Sequence, residues 1–444
     1  MNVADSQRVA SALERIGYQS TRRVEEADVI VLNTCVVRQS AEDKAYGRLS
    51  SLKPLKQRRP ELVINLMGCL VGVRNHDALK KRFPFVDVFS PPSDPSPLIE
   101  HLLQRERQQQ AVNETLARFE AMDYELVLPL AERGKLVAAF LPIVYGCSHA
   151  CAFCIIPYRR GVEKSRPPEE ILAEANALVA QGVKEITLLG QIVDRYGMDQ
   201  SGYPSLAQLL RMLHNIEGLE RIRFLTSHPN WMNDELLDTV AELPKVMPHI
   251  EVPSQAGDDQ ILAAMRRGYT DADYRRLIER IRSKIPGVSI ATDIIVGFPN
   301  ESEEQFMHTY RQLADLKLDV AHLARYSVRP GTLAARQMED NVPEAEKWRR
   351  FRMLEELQES IAAKINARYL GQTVKVLFEE KKKQRWQGRT ETNKLVFVES
   401  DENLRGQVRK VQIIWTGPWS MLGQLARQSA QTPLLLKTPA SVGA

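Results

Sequence analysis

The sequence predicts an α/β protein in three parts: an open parallel α/β domain, a longer series of β/α units, and a small antiparallel β-barrel. Three observations carry this. Short apolar runs alternate with helical patterns twice, once up to about residue 105 and again from Leu136. Between them, SPPSDPS at Ser90–Ser96 and RERQQQ at Arg105–Gln110 are turn and linker chemistry. Beyond Gly371 the helical spacing gives way to alternation of apolar and polar residues with turn residues between the runs.

Composition agrees with this reading. The 444 residues are 43% hydrophobic and 26% charged, with a formal net charge of +4 and no apolar run long enough for a bilayer. A globular chain of about three domains follows. No membrane partner is expected, and nucleic acid is permitted. The chain opens on a helical pattern, MNVADSQRVASALERIG, instead of a charged and then apolar leader, so a cytoplasmic location is expected. Five cysteines are too few for a disulfide scaffold.

In chain order, strands at Ala27–Leu32, Leu62–Met67 and Val86–Phe89 with helices between them make residues 1–105 a parallel α/β domain. Residues 106–135 read as a linker. Strands near 137–144, 184–189, 221–225, 248–252, 288–296 and 319–326 give six β/α units, an incomplete TIM-like (β/α)6 barrel over 136–368. EEILAEANALVAQG and DYRRLIERIRSKIPG show helical spacing with a terminal glycine. A polar helix over about 343–368 ends this part, residues 369–430 form the small barrel, and 431–444 are an unstructured tail.

The chemistry is concentrated in the cysteines. Cys147, Cys151 and Cys154 lie in VYGCSHACAFCIIPYRRG with C-x3-C-x2-C spacing, on one loop after a strand, where three thiolates can converge on one metal centre. Isolated buried cysteines are usually core filler, but three at this spacing argue against that. Structural zinc with His149 as fourth ligand is the alternative; it usually takes its ligands from two separate turns, and no second pair follows. Glycine and polar residues recur after successive strands: Gly190 and Gln191, Ser227 and His228, Pro253 to Gly257, Gly297 and Pro299, and Tyr326. Barrels carry their chemistry at that end. His228 is expected to orient a loop. Cys35 and Cys69 each follow a buried strand, so in a parallel sheet they meet at its carboxyl edge. A parallel domain normally begins with a strand and this one begins with a helix, so a first strand and a third cysteine are expected upstream of Met1.

The C-x3-C-x2-C loop, with Phe153 before its last cysteine, resembles the signature of the radical S-adenosylmethionine (SAM) superfamily. That resemblance implies a four-iron, four-sulfur cluster on Cys147, Cys151 and Cys154 whose open iron chelates SAM and cleaves it to a 5′-deoxyadenosyl radical. With MN-x2-DS, LNTC-x-VR, MGC, C-IIPY-x-RG, SRP and a TRAM-like tail, nearly the whole chain is similar to the methylthiotransferases. AEDKAYGRL, LLGQ, TSHP at Thr226–Pro229 and GRTETNK at Gly388–Lys394 resemble the MiaB type. The resemblance implies addition of a methylthio group to C2 of N6-(dimethylallyl)adenosine at position 37 of tRNA. One SAM serves as radical source and one as methyl donor, and sulfur comes from an auxiliary cluster on Cys35, Cys69 and the cysteine expected upstream.

Gln191, Ser227 and Gln255 are then the expected SAM contacts, with Ile192 standing where the family usually has Asn. The tail segment KKKQRWQGRT sets basic residues around Trp386, suited to phosphates and to stacking on a base. Arg389 and Lys394 are the expected tRNA contacts, while Trp415 and Trp419 fit the barrel core equally well. The expected partners are tRNA and a one-electron reductant, and the expected state is a monomer. The alternatives are the branches acting on threonylcarbamoyladenosine in tRNA or on a ribosomal-protein aspartate, or a non-catalytic nucleic-acid-binding protein with a structural metal.

Overall fold

A computed structural model of the chain describes residues 1–37, 39–74, 76–107 and 128–426. Most of the expected linker and all of the expected tail lie outside these residues. No helix among them is long and apolar enough to cross a membrane.

The first part is a parallel sheet in the order β1 (Val29–Thr34), β2 (Val63–Gly68), β3 (Val88–Ser90). β2, VINLMG, is buried throughout because helices cover both faces of a parallel sheet. Val9, Ala12, Ile16 and the helix Ser96–Arg107 pack on one face, and Leu49 and Leu52 of the helix Gln39–Arg58 on the other.

The second part holds six parallel strands: β4 (Ala138–Pro142), β7 (Glu185–Leu189), β8 (Arg221–Leu225), β9 (His249–Glu251), β10 (Ser289–Val296) and β11 (Val320–Arg325). They form two three-stranded sheets joined by the bridge Ile222↔Val246 into an open, partial barrel. The expected strand over 137–144 is interrupted after Pro142. The chain then turns into β5 (Val144–Tyr145), which pairs antiparallel with β6 (Lys164–Ser165) and so brackets the cysteine loop. Three barrel helices start on reciprocal capping boxes, Ser205 with Gln208, Thr270 with Asp273 and Ser302 with Gln305, which satisfy donors that a helix start otherwise leaves open.

The third part is a closed five-stranded barrel, β12 (Thr373–Lys382), β13 (Arg385–Thr390), β14 (Leu395–Glu399), β16 (Met421–Leu425) and β15 (Val408–Thr416), after the helix Glu344–Ala367. Within GRTETNK a turn with Asn393 at φ 63° separates β13 from β14. That turn docks at the amino ends of the partial-barrel strands. Arg221 donates to the Arg389 carbonyl at 2.8 Å, and Arg223 to the Thr390 and Glu391 carbonyls at 2.8 and 3.0 Å. Lys394 pairs with Asp319 at 2.7 Å. A cavity of about 570 Å³ lies at this end, lined in part by Phe140, Glu251, His322 and Trp419.

Glu251 gives a pH signature. Burial, then the nearby Asp293 carboxylate, pushes its carboxyl up to about 7. A raised carboxyl stabilises the fold fully below its unfolded value, and that contribution is lost as pH rises through the folded one. The melting temperature is therefore expected to fall between about pH 4.5 and 7 through this group and to fall less in Glu251→Gln. Equal slopes in the two proteins would refute this.

Candidate metal centre at two facing cysteine loops

A glycine in left-handed backbone precedes one cysteine of each set, Cys147 and Cys69. Gly146 has φ 65°, and a Cβ on it would lie 2.0 Å from the Val162 carbonyl oxygen. Gly68 has φ 98°, and a Cβ there would lie 2.6 Å from the Thr34 carbonyl oxygen. Left-handed backbone without a Cβ lets the chain turn sharply from strand end to cysteine. The Cys147 amide then donates to the Gly161 carbonyl at 3.1 Å. Gly146→Ala is expected to lower iron retention at least tenfold with little change in helix content, measured by iron analysis and circular dichroism; full iron loading would contradict it.

Cys147 is buried, and Cys151 and Cys154 are partly exposed as whole residues. The thiols interact electrostatically with one another. Burial pushes the Cys147 thiol up to about 11 and Cys154 to about 12, so both are protonated when free and release protons on taking metal. Each of the three thiolates on this loop can bind a different iron of a four-iron cube. His149 packs edge-on against His228 and Trp231, at 4.6 and 5.5 Å between ring centroids. Three cysteines on one loop suit a cluster that leaves one iron open.

Around this loop stand the carboxyl ends of the partial-barrel strands. Gln191 is half-buried just after β7. Ser227 is buried after β8, with its hydroxyl unpartnered. Gln255 has φ 73°, and its amide donates to the Asp293 carbonyl at 2.8 Å. His228 is held by its backbone amide on Asp194 at 3.0 Å, while burial, then Arg267, drives its imidazole down to about 2, so the ring is neutral. Its Nδ1 accepts from the Asn230 amide at 3.3 Å within the loop, and its Nε2 is unpartnered.

In the first domain Thr34 pairs with Gly68 across β1 and β2, so Cys35 and Cys69 are one step beyond a register pair. They sit side by side at the carboxyl edge. This edge faces the other cysteine loop. Ile155 enters the core that contains Cys69, Arg159 donates to the Leu70 carbonyl at 3.3 Å, and Arg160 Nε donates to Cys69 Sγ at 3.2 Å. Arg160 also reaches Asn2, Asp5 and Ser93. From Cys154 to Arg160 is six residues, about 9 Å if helical. Arg160 is the arginine of C-IIPY-x-RG, to which sequence reasoning assigns no role.

The tail differs from expectation. Trp386 is 5% exposed in the barrel core, so it offers no face to a base, while Trp415 and Trp419 are 50% and 56% exposed. Lys394 is buried on Asp319, and the partly exposed Arg389 lies 3.6 Å from Glu379. Both belong to the docking turn.

Family models match all three parts: "Radical SAM superfamily" over residues 141–313, "Uncharacterized protein family UPF0004" over 1–90, and "TRAM domain" over 367–426. The tRNA-2-methylthio-N(6)-dimethylallyladenosine synthase of Roseiflexus sp. (strain RS-1) is 49% identical over 434 residues, 96% of this chain and 88% of the relative. That of Herpetosiphon aurantiacus is 48% identical over 432 residues, 96% and 95% of the two chains. The chain belongs to the tRNA-2-methylthio-N(6)-dimethylallyladenosine synthase family. A solved radical SAM methyltransferase, TsrM of Kitasatospora setae, shares the fold, with a TM-score of 0.50 at 14% identity over 73% of this chain and 68% of that one. Membership in the synthase family brings SAM and a 4Fe-4S cluster as cofactors.

Proposed function

We propose that this chain adds a methylthio group to C2 of N6-(dimethylallyl)adenosine at position 37 of tRNA. The observation that carries the reading is the apposition of two cysteine loops, one on each domain, through Arg160 and Cys69. When bound, the 4Fe-4S cluster and SAM supply one-electron cleavage of a C–S bond and hence a radical able to take hydrogen from an unactivated carbon. General acid–base groups cannot readily break such a bond.

The chain's own residues hold and orient. Cys147, Cys151 and Cys154 bind the radical cluster, with Gln191, Ser227 and Gln255 lining the SAM side. The unpartnered, buried Ser227 hydroxyl supports that placement, since a buried polar atom otherwise costs stability. Cys35 and Cys69 would supply two of the ligands of an auxiliary cluster able to give sulfur, with the buried Arg160 guanidinium beside Cys69. A second SAM supplies the methyl group, and a one-electron reductant supplies the electron.

tRNA contact falls to the tail barrel. Arg389 offers partial exposure, Lys394 must first leave Asp319, and the exposed Trp415 and Trp419 are better placed than Trp386 for stacking on bases. Lys381 to Lys383 and Arg385 add charge on the β12–β13 hairpin.

Anaerobically reconstituted protein with dithionite, SAM and tRNA carrying dimethylallyladenosine tests this by nucleoside mass spectrometry. A methylthio mass on that nucleoside is expected. 5′-Deoxyadenosine formation with methylthiolation of threonylcarbamoyladenosine, or of a ribosomal protein, would overturn the substrate. Cys69→Ala is expected to keep 5′-deoxyadenosine formation within about threefold and to lose the methylthio product; retained product would remove Cys69 from the sulfur-giving role.

A further inference from the structure

Arg267 is a buried cation beside Cys151. It is 4% exposed and lies in the connection MRRGYT between the helices Asp259–Ala264 and Asp271–Lys284. Its Nη1 donates to Cys151 Sγ at 3.2 Å, its Nη2 to the Pro253 carbonyl at 3.2 Å and its Nε to Tyr269 Oη at 3.0 Å. The Tyr269 hydroxyl is fixed in turn on the Ser254 carbonyl at 2.7 Å. None of these three partners is a carboxylate. Other buried arginines have one: Arg160 pairs with Asp5, Arg223 with Glu185 and Arg350 with Glu301. A buried charge without a counter-charge costs several kcal/mol. At Arg267 the partner able to become an anion at its guanidinium is the Cys151 thiolate, which forms when iron binds.

We propose that Arg267 is a positioning residue that acts through Cys151 to raise the reduction potential of the radical cluster. The step it favours is transfer of one electron from a low-potential one-electron reductant to the cluster; the reductant is oxidised, the cluster is reduced, and no proton moves. The thiolate-bound cube thereby gains one negative charge. A guanidinium on a ligand sulfur, shielded from water, stabilises the more negative state more than the less negative one. Hydrogen bonds to cluster sulfurs act in the same direction. The backbone of Pro253 and the Tyr269 hydroxyl fix the planar fork, so its position is set before the electron arrives.

The inference rests on the assignment of Cys147, Cys151 and Cys154 to that cluster. The test uses the full chain with Cys35→Ala and Cys69→Ala, so that the radical cluster alone gives a signal. It compares Arg267, Arg267→Met and Arg267→Lys in potentiometric titrations with dithionite and low-potential dyes, read by electron paramagnetic resonance, with iron and sulfide counted per chain. Arg267→Met is expected to load fully and, at a fixed poise, to show a reduced-to-oxidised ratio at least about tenfold lower, a shift of about 59 mV for one electron. Arg267→Lys should fall between, since it keeps charge without the fork. A fully loaded Arg267→Met titrating within about twofold of the parent overturns the proposal.

If Arg267→Met folds without iron, Arg267→Lys decides. Iron held by the Lys variant supports the counter-charge, and iron lost from both overturns it in favour of a purely structural role. No cluster signal in the parent would sink the cysteine assignment itself, a separate failure.

Discussion

Cys151→Ser is expected to form no detectable 5′-deoxyadenosine from SAM under dithionite, while its unfolding free energy without metal changes by less than about 1 kcal/mol. Cys151 is the informative member of the three. Cys147 and Cys154 pack with Ile156, Ile192 and Trp231, so replacing either also disturbs a small apolar cluster, whereas Cys151 is absent from the core clusters. Serine keeps an acceptor for Arg267 and removes the thiolate, so chemistry and folding separate. The loss should be complete because a cluster held by two cysteines cannot present one open iron in a fixed place. Iron analysis and product chromatography on the same sample check it. Persistent 5′-deoxyadenosine at more than about one per cent of the parent rate would show that Cys151 is not a ligand.

Arg223→Ala is expected to cost about 3–5 kcal/mol and to release the tail barrel. Arg223 is buried at β8, pairs with Glu185 at 3.0 Å and caps the Thr390 and Glu391 carbonyls. Its removal leaves a buried carboxylate and two carbonyls without their donor, and the docking turn loses its main anchor. The readout is limited proteolysis. Cleavage should appear near residues 368–372, between the helix Glu344–Ala367 and β12, at protease concentrations that leave the parent intact. 5′-Deoxyadenosine formation without tRNA should stay within about threefold, because the cysteine loop lies at the other end of the strands. Resistance equal to the parent would mean that Arg221, Lys394 and Asn366 suffice to hold the tail.

The strands were legible because parallel sheets bury both faces: EITLL and VINLMG read as mostly apolar runs that end at or in a glycine. The C-x3-C-x2-C loop was legible because its ligands are local in sequence, and Cys35 with Cys69 because both follow a strand end. The arginines that serve them were not. Arg160 meets Cys69 across 91 residues and Arg267 meets Cys151 across 116, and no local pattern encodes either meeting. Trp386 was misread although a signal existed. In β13 the burial alternates, with Trp386, Gly388 and Thr390 inward, so strand parity alone puts the tryptophan opposite its basic neighbours Arg385 and Arg389. Lys394 carried no such signal, because its partner Asp319 belongs to another domain.

The docking of the tail beneath the strands has a consequence for which nucleic acids can be substrates. β4, β7 and β8, of five residues each, span about 17 Å, and the cysteines lie at one end and the tail at the other. On the proposed contact of the tail with tRNA, grip and chemistry are separated by a fixed length of protein, as on a caliper. An RNA hairpin too short to reach both jaws would present the right base without being held. Size, as well as base identity, then sorts the substrates.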